Sequence, residues 1–592
     1  MEERFDLGSA LRSHLGYETF RPGQEEIVRS VLSGRPTVAV MPTGSGKSLC
    51  YQLPAVLLEG TTIVASPLVA LMKDQTDGLA ARNIAATFVN SSLPDAERHD
   101  RQERIRRGEF KIVYVAPERF RSASFRASVA GLRVPLFAID EAHCISSWGF
   151  DFRPDYLRLA EARGHLRAER VLALTATATP EVRGDIARAL ALEDPRVFVS
   201  GFDRPNLFLE VLRASGDDEK LGRILALARK GGPGLVYAAT RRNVGKVVAA
   251  LRRNGVGAFG YHAGMDDAER TEVQDRFHGG EAPIVVATNA FGMGVDRADV
   301  RFVAHFDVPR SLEAWYQEIG RAGRDGRPSL ALLLFNFADV AMQRRMIEAS
   351  HPREPLLRKV WDEAREMGEG SVDALAQRAG ARPHDVQAAF KLFSRGGQLE
   401  RGRGRDAPSF TVLAADVPFD DLGIDLATPA ARLLHERRML DRMVRFVDEK
   451  SCRRRAVLRY FGDPAAPPSC DACDLCVGAR APQAETVVVA SSRKRREPAA
   501  LPAAAGGDFD AEAFQALRTL RTQIAREDRV PPYVVFHDAT LRALSEALPT
   551  DEPTFLAVRG AGPGRWQKYG GRVVSALAPF ATRRNAEGPP PA

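Results

Sequence analysis

Between about residues 37 and 335, short apolar runs rich in β-branched residues alternate with longer segments of helical periodicity. Strands of a parallel sheet are buried on both faces and read as continuous apolar runs, and their connections are usually helices. The alternation therefore predicts an α/β fold built from parallel sheets covered by helices. The runs are TVAV, TTIVASP, KIVYVAPE, LFAIDE, RVLALTAT, GLVYAAT, PIVVATN, VRFVAHFD and LALLLF.

The runs form two groups that separate near residue 205, so we predict two α/β lobes in a chain of 592 residues, which is long enough for several domains. The chain is then helical and strongly basic to about residue 480. A stretch rich in Ala, Pro and Gly without periodicity follows, which is typical of a linker, and helical spacing returns after it. The predicted boundaries are 1–205, 206–345, 350–440, 441–480, 481–507 and 508–592.

The composition excludes some classes of protein. No apolar run approaches the roughly 18 residues of a membrane span, and the N-terminal MEERFDLGSA lacks the pattern of a secretory signal. We therefore expect no membrane role and a reducing compartment, either cytoplasmic and nucleoid-associated or nuclear, but not secreted. The net charge of +8 fits a polyanionic partner, although a long chain can also carry that excess on a solvated surface.

The segment MPTGSGKSLCY, residues 41–51, follows a predicted strand and opens a predicted helix. Such a glycine-rich turn lets backbone N–H groups approach phosphate oxygens, while a lysine reaches the outer phosphates and a hydroxyl binds Mg²⁺. The strict P-loop pattern begins with Gly, but that position is Met41, so an accidental turn is the alternative. The predicted phosphate-binding residues are Thr43, Gly44, Gly46, Lys47 and Ser48.

DEAH at residues 140–143 supplies a partner for this turn. Asp140 at a strand end is placed to hold the Mg²⁺ shell, and Glu141 to orient or deprotonate the attacking water. On its own DEAH fits a charged loop, but together with the P-loop it indicates an ATP site. In YQEIGRAGRDG, residues 316–326, Arg321 and Arg324 are candidate arginine fingers. Surface ion pairing is the alternative for these two arginines.

Four of the six cysteines have the spacing C-x17-C-x2-C-x2-C. Four thiolates at such spacing in a reducing compartment suit a tetrahedral structural Zn²⁺, whereas loose surface thiols are the alternative. The predicted ligands are Cys452, Cys470, Cys473 and Cys476.

These segments together resemble the RecQ family of superfamily 2 DNA helicases. The resemblance covers residues 5–340 and rests on GYETFRPGQ, MPTGSGKSLCYQ, SPLVALMKDQ, YVAPER, DEAHCISSWGFDFRPDY, LALTATAT, YHAG, VVATNAFGMGVDRADVRFVAHFDVPRS and YQEIGRAGRDG. CRRRAVLRYFGD resembles the zinc module of that family, and residues 508–585 resemble its HRDC domain. The resemblance implies two RecA-like parallel-sheet motor lobes followed by a helical zinc-binding domain and a small all-α HRDC-like domain.

The resemblance also implies roles for individual residues. Tyr17, Arg21 and Gln24 would recognise adenine, and Asp296 would contact the nucleotide. Thr175 would link the ATP state to DNA contacts. Of the two arginines in YQEIGRAGRDG, Arg324 is the better candidate for the finger.

The stretch CISSWGFDFRPDY after DEAH is too broken by Gly and Pro for an ordinary strand or helix. Exposed aromatic side chains stack on unpaired bases at roughly 1–3 kcal/mol per base without reading sequence. The stretch resembles the aromatic-rich loop of RecQ helicases, which couples DNA occupancy to ATP hydrolysis. The alternative is that its aromatic residues belong to the core. The predicted coupling residues are Trp148, Phe150, Phe152 and Arg153.

Upstream of the cysteines, residues 371–413 have the order helix, turn, helix and two short strands joined by a basic turn, which predicts a winged helix. RecQ proteins of the commonest layout place this domain after the zinc ligands. Here only about 30 residues separate the zinc ligands from the HRDC-like segment, too few for such a domain. We predict duplex contacts by Arg401, Arg403 and Arg405 at the tip. The alternative is a helical linker with a solvated basic loop.

The resemblance implies an ATP-dependent DNA helicase that moves 3′ to 5′ and unwinds duplexes in recombination, repair or replication. It would use ATP, Mg²⁺ and Zn²⁺ on single-stranded and branched duplex DNA, beside single-strand-binding and repair proteins. The alternative is an RNA helicase or duplex-remodelling translocase, because the same motor serves both. The aromatic stretch, the cysteines and the HRDC-like segment favour DNA.

Overall fold

The chain divides into two compact units, residues 1–489 and residues 490–592. The computed structural model describes residues 5–587 apart from residues 43, 68, 91–92, 147–151, 200, 292–296, 403–408, 464–465, 488–509, 528–534, 537 and 559. No helix within those described ranges is long and apolar enough to cross a bilayer.

The first lobe is a seven-stranded parallel sheet in the order β3-β4-β2-β5-β6-β1-β7. Its strands are β1 Thr37–Val40, β2 Thr62–Ala65, β3 Ala86–Val89, β4 Ile112–Val115, β5 Phe137–Ile139, β6 Val171–Thr175 and β7 Arg196–Val199. Its helices are α1 Leu7–Ala10, α2 Gln24–Leu32, α3 Leu49–Leu57, α4 Val69–Ala80, α5 Asp95–Arg106, α6 Ala123–Val129, α7 Leu159–Leu166 and α8 Pro180–Ala189. A π-helix occupies Leu11–Leu15, and 3₁₀ turns occupy Pro117–Arg121, Ala142–Ile145 and Pro154–Arg158.

The second lobe is a six-stranded parallel sheet in the order β10-β11-β9-β12-β13-β8. Its strands are β8 Leu207–Arg213, β9 Gly234–Tyr237, β10 Ala258–Tyr261, β11 Ile284–Ala287, β12 Phe302–His305 and β13 Ser329–Phe335. Its helices are α9 Asp217–Lys230, α10 Arg241–Arg253, α11 Asp267–His278, α12 Leu312–Ile319 and α13 Phe337–Ser350. The predicted pair of parallel-sheet lobes is confirmed.

Alternate residues of the central strands pack in two different cores. Val113 and Val115 of β4 lie in one apolar cluster, while Ile112 and Tyr114 of the same strand lie in another. Successive strand residues point to opposite faces, so an apolar residue at every position buries both faces of the sheet. This is why the central strands appear in the sequence as unbroken apolar runs.

Residues 354–426 lie between α13 and the long helix α17, Ala427–Val447. They contain α14 Glu354–Met367, β14 Glu369–Ser371, α15 Val372–Arg378, α16 Pro383–Arg395, β15 Leu399–Gly402, β16 Ser409–Val412 and a 3₁₀ turn at Phe419–Leu422. The three strands form an antiparallel sheet in the order β14-β16-β15. Trp361, Phe393, Phe410 and Phe419 belong to a core of this segment's own. The helix, turn, helix and two strands expected over 371–413 are therefore all present.

Helix α17 runs through residue 440, where the sequence suggested a boundary, because it packs along α13 as one continuous helix. The C-terminal end of α17 contacts the cysteine-bearing part, since Arg453 donates to the Phe446 carbonyl at 2.9 Å. This part contains α18 Arg453–Tyr460 and α19 Asp474–Val477. The first residues of the predicted linker, 481–487, are also ordered against the second lobe. The Glu485 N–H donates to the Gly222 carbonyl at 3.2 Å, and the Ala481 N–H donates to a carboxylate oxygen of Glu210 at 2.8 Å.

The second unit is all helical in its described residues. Its helices are α20 Ala511–Glu527, α21 Asp538–Ala547, α22 Glu552–Ala557, α23 Pro563–Arg565, a π-helix at Trp566–Gly570 and α24 Gly571–Glu587. Leu517, Ile524, Leu544, Phe555 and Leu577 are buried together in its core. Leu517 and Ile524 are seven residues apart in α20, which places both on the face of that helix that packs into the core.

Candidate active site

The glycine-rich turn joins β1 to α3 and is held by residues of the N-terminal segment. Gly44 and Gly46 have φ values of 84° and 78°, a left-handed conformation that favours glycine. The Gln24 amide donates to the carbonyls of Ser45 and Gly46 at 2.9 and 3.0 Å, and Arg21 donates to the Gly44 carbonyl at 2.6 Å. The segment that the resemblance links to adenine is therefore bonded directly to the phosphate-binding turn.

Asp140 and Glu141 lie at the carboxyl end of β5, where open α/β sheets bind their ligands. Each of the two carboxylates has a polar neighbour. Lys47 Nζ lies 3.8 Å from Glu141 Oε1, and the Ser66 hydroxyl donates to Asp140 Oδ2 at 3.5 Å. Glu141 has φ 48°, in the left-handed region that a residue with a side chain adopts only at a cost of order 1 kcal/mol. The backbone is strained at the residue expected to act on water.

The two neighbouring carboxyls have their pKa values shifted in opposite directions. Burial and the charge of Glu141 raise the pKa of Asp140 to about 6. Burial also acts to raise the pKa of Glu141, but Lys47 and His143 outweigh it and lower that pKa to about 2. Glu141 is therefore an acceptor at neutral pH, and a cation beside Asp140 favours its charged form.

His143 connects the catalytic strand end to the neighbouring strand. Its Nδ1 lies 2.8 Å from the hydroxyl oxygen of Thr175 at the end of β6 and 3.3 Å from Glu141 Oε2. The Thr175 hydroxyl also accepts from the Thr177 N–H at 3.3 Å. The main-chain carbonyl of Thr175 accepts from the Met41 N–H at 3.0 Å. Thr175 thus contacts both the catalytic loop and the start of the phosphate-binding turn.

The two candidate finger arginines approach this site from the second lobe. A Cβ added to Gly44 would lie 3.2 Å from Cγ of Arg324, so the Arg324 side chain lies over the phosphate-binding turn. Arg321 is 4% exposed and lies beside Tyr237 within its own lobe. The positions of the two side chains favour Arg324 as the finger.

A cavity of about 460 Å³ opens between the two lobes at this point. It is lined by every predicted nucleotide-site residue that the structure describes. These are Tyr17, Arg21, Gln24, Gly44, Gly46, Lys47, Ser48, Asp140, Glu141, Arg321 and Arg324. Ser48 and Asp140 offer the oxygen ligands that Mg²⁺ prefers, so the residues present fit a magnesium nucleotide. Thr43 and Asp296 lie outside the described residues.

Hydrogen bonds hold the described residues on both sides of the aromatic stretch, one to the turn that follows the catalytic strand and one to helix α8. The Arg153 N–H donates to the Cys144 carbonyl at 2.9 Å, and Ser146 donates to Asp185 of α8 at 2.6 Å. The guanidinium carbon of Arg432 in α17 lies 4.6 Å from the centre of the Phe152 ring. Trp148 and Phe150 fall outside the described residues, so their exposure stays a prediction.

A second cavity, of about 530 Å³, lies on the other side of Glu141, between the lobes and α17. Its walls carry several arginines, which favour a polyanion. These are Arg153, Arg241, Arg310, Arg321 and Arg432. Sequence patterns gave no role to Arg310, which lies in a segment quoted for the resemblance, or to Arg432, for which the only signal was the basic character of its segment.

The four predicted zinc ligands come together in space. Their Sγ atoms all lie within 4.8 Å of one another, and those of Cys452 and Cys470 are 3.4 Å apart. Tetrahedral Zn–S bonds of about 2.3 Å place sulfurs at roughly this separation, so the residues fit a zinc ion. Backbone hydrogen bonds from this loop continue into the second lobe, since the Leu209 N–H donates to the Ala472 carbonyl at 3.0 Å.

Of the three arginines predicted to contact duplex DNA, only Arg401 is among the described residues. Arg401 pairs with Phe410 in the β15–β16 ladder, but its side chain is not described. Arg403 and Arg405 lie outside the described residues.

The two lobes, the shared cavity and an arginine that reaches across it define a nucleotide-driven helicase motor. Profiles of protein families match four parts of the chain: DEAD/DEAH box helicase over 21–184, helicase conserved C-terminal domain over 217–326, RecQ zinc-binding over 423–477 and HRDC domain over 510–577. The chain belongs to the RecQ family of helicases.

Two bacterial relatives match nearly from end to end. The ATP-dependent DNA helicase RecQ of Bacillus subtilis is 36% identical, with 97% of this chain and 98% of the relative covered. The protein of the same name from Haemophilus influenzae is 34% identical, with 95% and 94% covered. The resemblance found in the sequence is confirmed.

Proposed function

We propose that the protein hydrolyses ATP to move along single-stranded DNA and unwind duplex DNA. The observation that carries the proposal is the meeting of Lys47, Glu141 and Arg324 from two separate lobes at one cavity. A site divided in this way changes shape when the lobes open and close, which converts phosphate chemistry into motion.

The side chains at the cavity have complementary tasks. Lys47 would neutralise the outer phosphates, and Ser48 with Asp140 would hold Mg²⁺, whose charge would offset that of the phosphates. Glu141 would accept a hydrogen bond from the attacking water. Arg324 would stabilise the charge that develops on the transferred phosphoryl group, and such an arginine contributes about 10³- to 10⁵-fold in rate.

DNA is favoured over RNA by family membership and by the parts attached to the motor. The relatives in Bacillus subtilis and Haemophilus influenzae carry the name ATP-dependent DNA helicase RecQ. The same membership supports 3′ to 5′ movement, branched duplex substrates, a cytoplasmic site of action and a place in recombination, repair or replication beside single-strand-binding and repair proteins. An RNA helicase is not favoured.

We further propose that residues 354–426 bind duplex DNA as a winged helix placed before the zinc module. The support is the order of α14 to β16, with three antiparallel strands beside a helix-turn-helix. Arg401, Arg403 and Arg405 would contact the DNA backbone there.

The experiment that tests the main proposal is ATP turnover measured against single-stranded DNA, duplex DNA and single-stranded RNA of one sequence. We expect strong stimulation by single-stranded DNA and little by RNA. Unwinding of partial duplexes with a 3′ or a 5′ tail then reports direction, and the 3′-tailed substrate should be unwound. Equal stimulation by RNA would overturn the assignment to DNA.

A further inference from the structure

The segment that joins the two lobes contacts both halves of the ATP cavity. It consists of residues 201–206, between β7 and β8. At its first residue, a Cβ on Gly201 would lie 3.2 Å from Pro42, which precedes the phosphate-binding turn. Gly201 has φ 77°, so only glycine passes this close to the turn without strain.

At its other end the segment holds the loop that carries Arg324. Arg204 Nη2 donates to the carbonyls of Ala322 and Gly323 at 3.0 and 2.9 Å. Asn206 Nδ2 donates to the carbonyls of Gly323 and Arg327 at 2.8 and 3.0 Å. These four bonds fix the backbone on both sides of Arg324.

The rest of the lobe also holds this loop, among other contacts through the bond from the Asp325 N–H to the Ala298 carbonyl at 3.2 Å. The Gly323 N–H donates to the Val300 carbonyl at 2.9 Å, and Arg301 pairs with Asp325 at 2.7 Å. The loop follows the end of α12, where carbonyls lack partners within the helix and cations are favoured. Arg204 supplies that cation from the joining segment rather than from the lobe itself.

The joining segment is in turn fixed by the zinc module. Arg454, two residues after the zinc ligand Cys452, pairs with Asp203 at 2.5 Å and donates to the Leu207 carbonyl at 2.7 Å. The Phe202 ring stacks on Phe461 with centres 4.7 Å apart. Hydrogen bonds, an ion pair and ring stacking therefore hold the joining segment in place between the lobes.

We propose that Arg204 and Asn206 are positioning residues for ATP hydrolysis: they set the distance of Arg324 from the phosphate-binding turn. The inference rests on the proposed function, in which Arg324 stabilises the transferred phosphoryl group. Through their four bonds the joining segment holds the backbone at residues 322–327 in one position. Neither residue reaches the cavity, and their effect passes through the backbone at 322–327.

The test compares Asn206→Ala and Asn206→Asp with the wild type. Asp has the shape of Asn but turns an acceptor toward two carbonyls, so a packing role tolerates it and a donor role does not. A displacement of about 1 Å at a catalytic group costs roughly 10²-fold in rate. We therefore expect kcat of the DNA-stimulated ATPase to fall about 10- to 100-fold in both variants, with KM for ATP and zinc content unchanged.

Two further variants separate positioning from general damage. Asn254 caps α10 with a similar amide bond to the Ala250 carbonyl at 2.8 Å and lines neither cavity, so Asn254→Ala should lose stability but keep kcat. In an Arg324→Ala background, Asn206→Ala should cause almost no further loss, because residues that act through one group are not additive. Equal losses in both backgrounds would overturn the inference.

The outcomes also separate this inference from the proposed function. Normal turnover by Arg324→Ala would remove Arg324 from the catalytic site and take the inference with it. Slow turnover by Arg324→Ala with normal turnover by Asn206→Ala would overturn the inference alone. If Asn206→Ala does not fold, Arg204→Ala provides the same comparison, since it removes two of the four bonds.

Discussion

The hydroxyl of Tyr156, a fully buried residue, donates a 3.0 Å hydrogen bond to the main-chain carbonyl of Asp140. The aromatic stretch therefore returns to the catalytic strand end after leaving it at Cys144. Any force on the loop between those two points acts directly on the backbone of Asp140 and Glu141. A base stacked on this stretch, as predicted, would therefore be connected through few bonds to the predicted site of hydrolysis.

We expect Trp148→Ala to uncouple the protein rather than unfold it. Loss of one stacking partner removes roughly 1–3 kcal/mol of base contact, while the bonds at the root of the loop remain. Basal ATP turnover should survive, and its stimulation by single-stranded DNA and the unwinding rate should fall. A collapse of the melting temperature instead would place Trp148 in the core.

We expect Lys47→Ala and Glu141→Gln to reduce ATP turnover by at least about 10²-fold while DNA binding persists. Lys47 acts on the phosphates and Glu141 on the water, and neither is needed to hold a base. Turnover is measured with saturating single-stranded DNA, and binding by fluorescence anisotropy. DNA-stimulated turnover at the wild-type rate in either variant contradicts the site.

We expect Cys473→Ser to remove the zinc and destabilise the module around it. Metal binding to a small thiolate site is itself folding free energy, and a hydroxyl is a poor substitute for the thiolate. Metal analysis should find about one zinc per wild-type chain and a large loss in the variant. Cys50 is buried but outside the cluster, so Cys50→Ser is the matched control and should keep its zinc. A zinc-free wild type of equal stability would refute the assignment.

Lys220 and Asp339 form an ion pair of 2.7 Å inside the second lobe, where Lys220 is fully buried. We expect Lys220→Met to lower the free energy of unfolding of that lobe by about 3–5 kcal/mol, because it leaves a buried carboxylate alone. The exposed pair of Lys246 with Asp217 is the control, and Lys246→Met should cost about 1 kcal/mol or less.

The loss in Lys220→Met should also depend on pH. Burial raises the pKa of Asp339 to about 7, against 3.8 in the unfolded chain. A carboxyl whose pKa is raised on folding contributes stability that is fully present below the unfolded pKa and lost as the pH rises through the folded pKa. Lys220 acts to lower the pKa of Asp339, so Lys220→Met raises that pKa further and extends the loss of stability to higher pH; chemical denaturation at pH 5 and pH 8 should therefore show the larger deficit at pH 8. A deficit that is the same at both pH values would contradict the buried charge.

We expect replacement of Arg401, Arg403 and Arg405 by Ala to weaken duplex binding and to lower its salt slope by up to about three units. Stimulation of ATP turnover by single-stranded DNA should be nearly unchanged, because the motor cavity is not touched. The matched control removes three arginines that pair with glutamates around α5: Arg104, Arg106 and Arg107. Unchanged duplex affinity and slope would favour a solvated loop.

The sequence predicted the central strands of both sheets but missed β3, β7, β8 and β10. All four are edge strands. An edge strand need not be apolar at every position: β7 is exposed at Arg196 and Val197, and β3 alternates between partly and fully buried positions. The continuous apolar run that marks a central strand is absent there.

Sequence patterns likewise identified only some of the residues proposed to act at the ATP cavity. Lys47, Asp140 and Glu141 could be found because each lies in a contiguous motif, and the two motifs meet at one cavity. Arg204 and Asn206 act on backbone carbonyls more than a hundred residues away, and a carbonyl leaves no trace in the sequence of its segment. Only the folded chain shows that partnership.

Helices α13 and α17 run antiparallel and are joined by two ion pairs, Arg344 with Asp441 and Glu348 with Arg437, and by a 2.9 Å hydrogen bond between His351 Nε2 and Glu436. Residues 354–426 are inserted between the end of α13 and the start of α17, two helices that pair with each other. The segment is therefore a cassette, since a short turn in its place would leave α13 and α17 still paired. The inserted segment can therefore be lengthened, shortened or replaced while the pairing of α13 with α17 is kept.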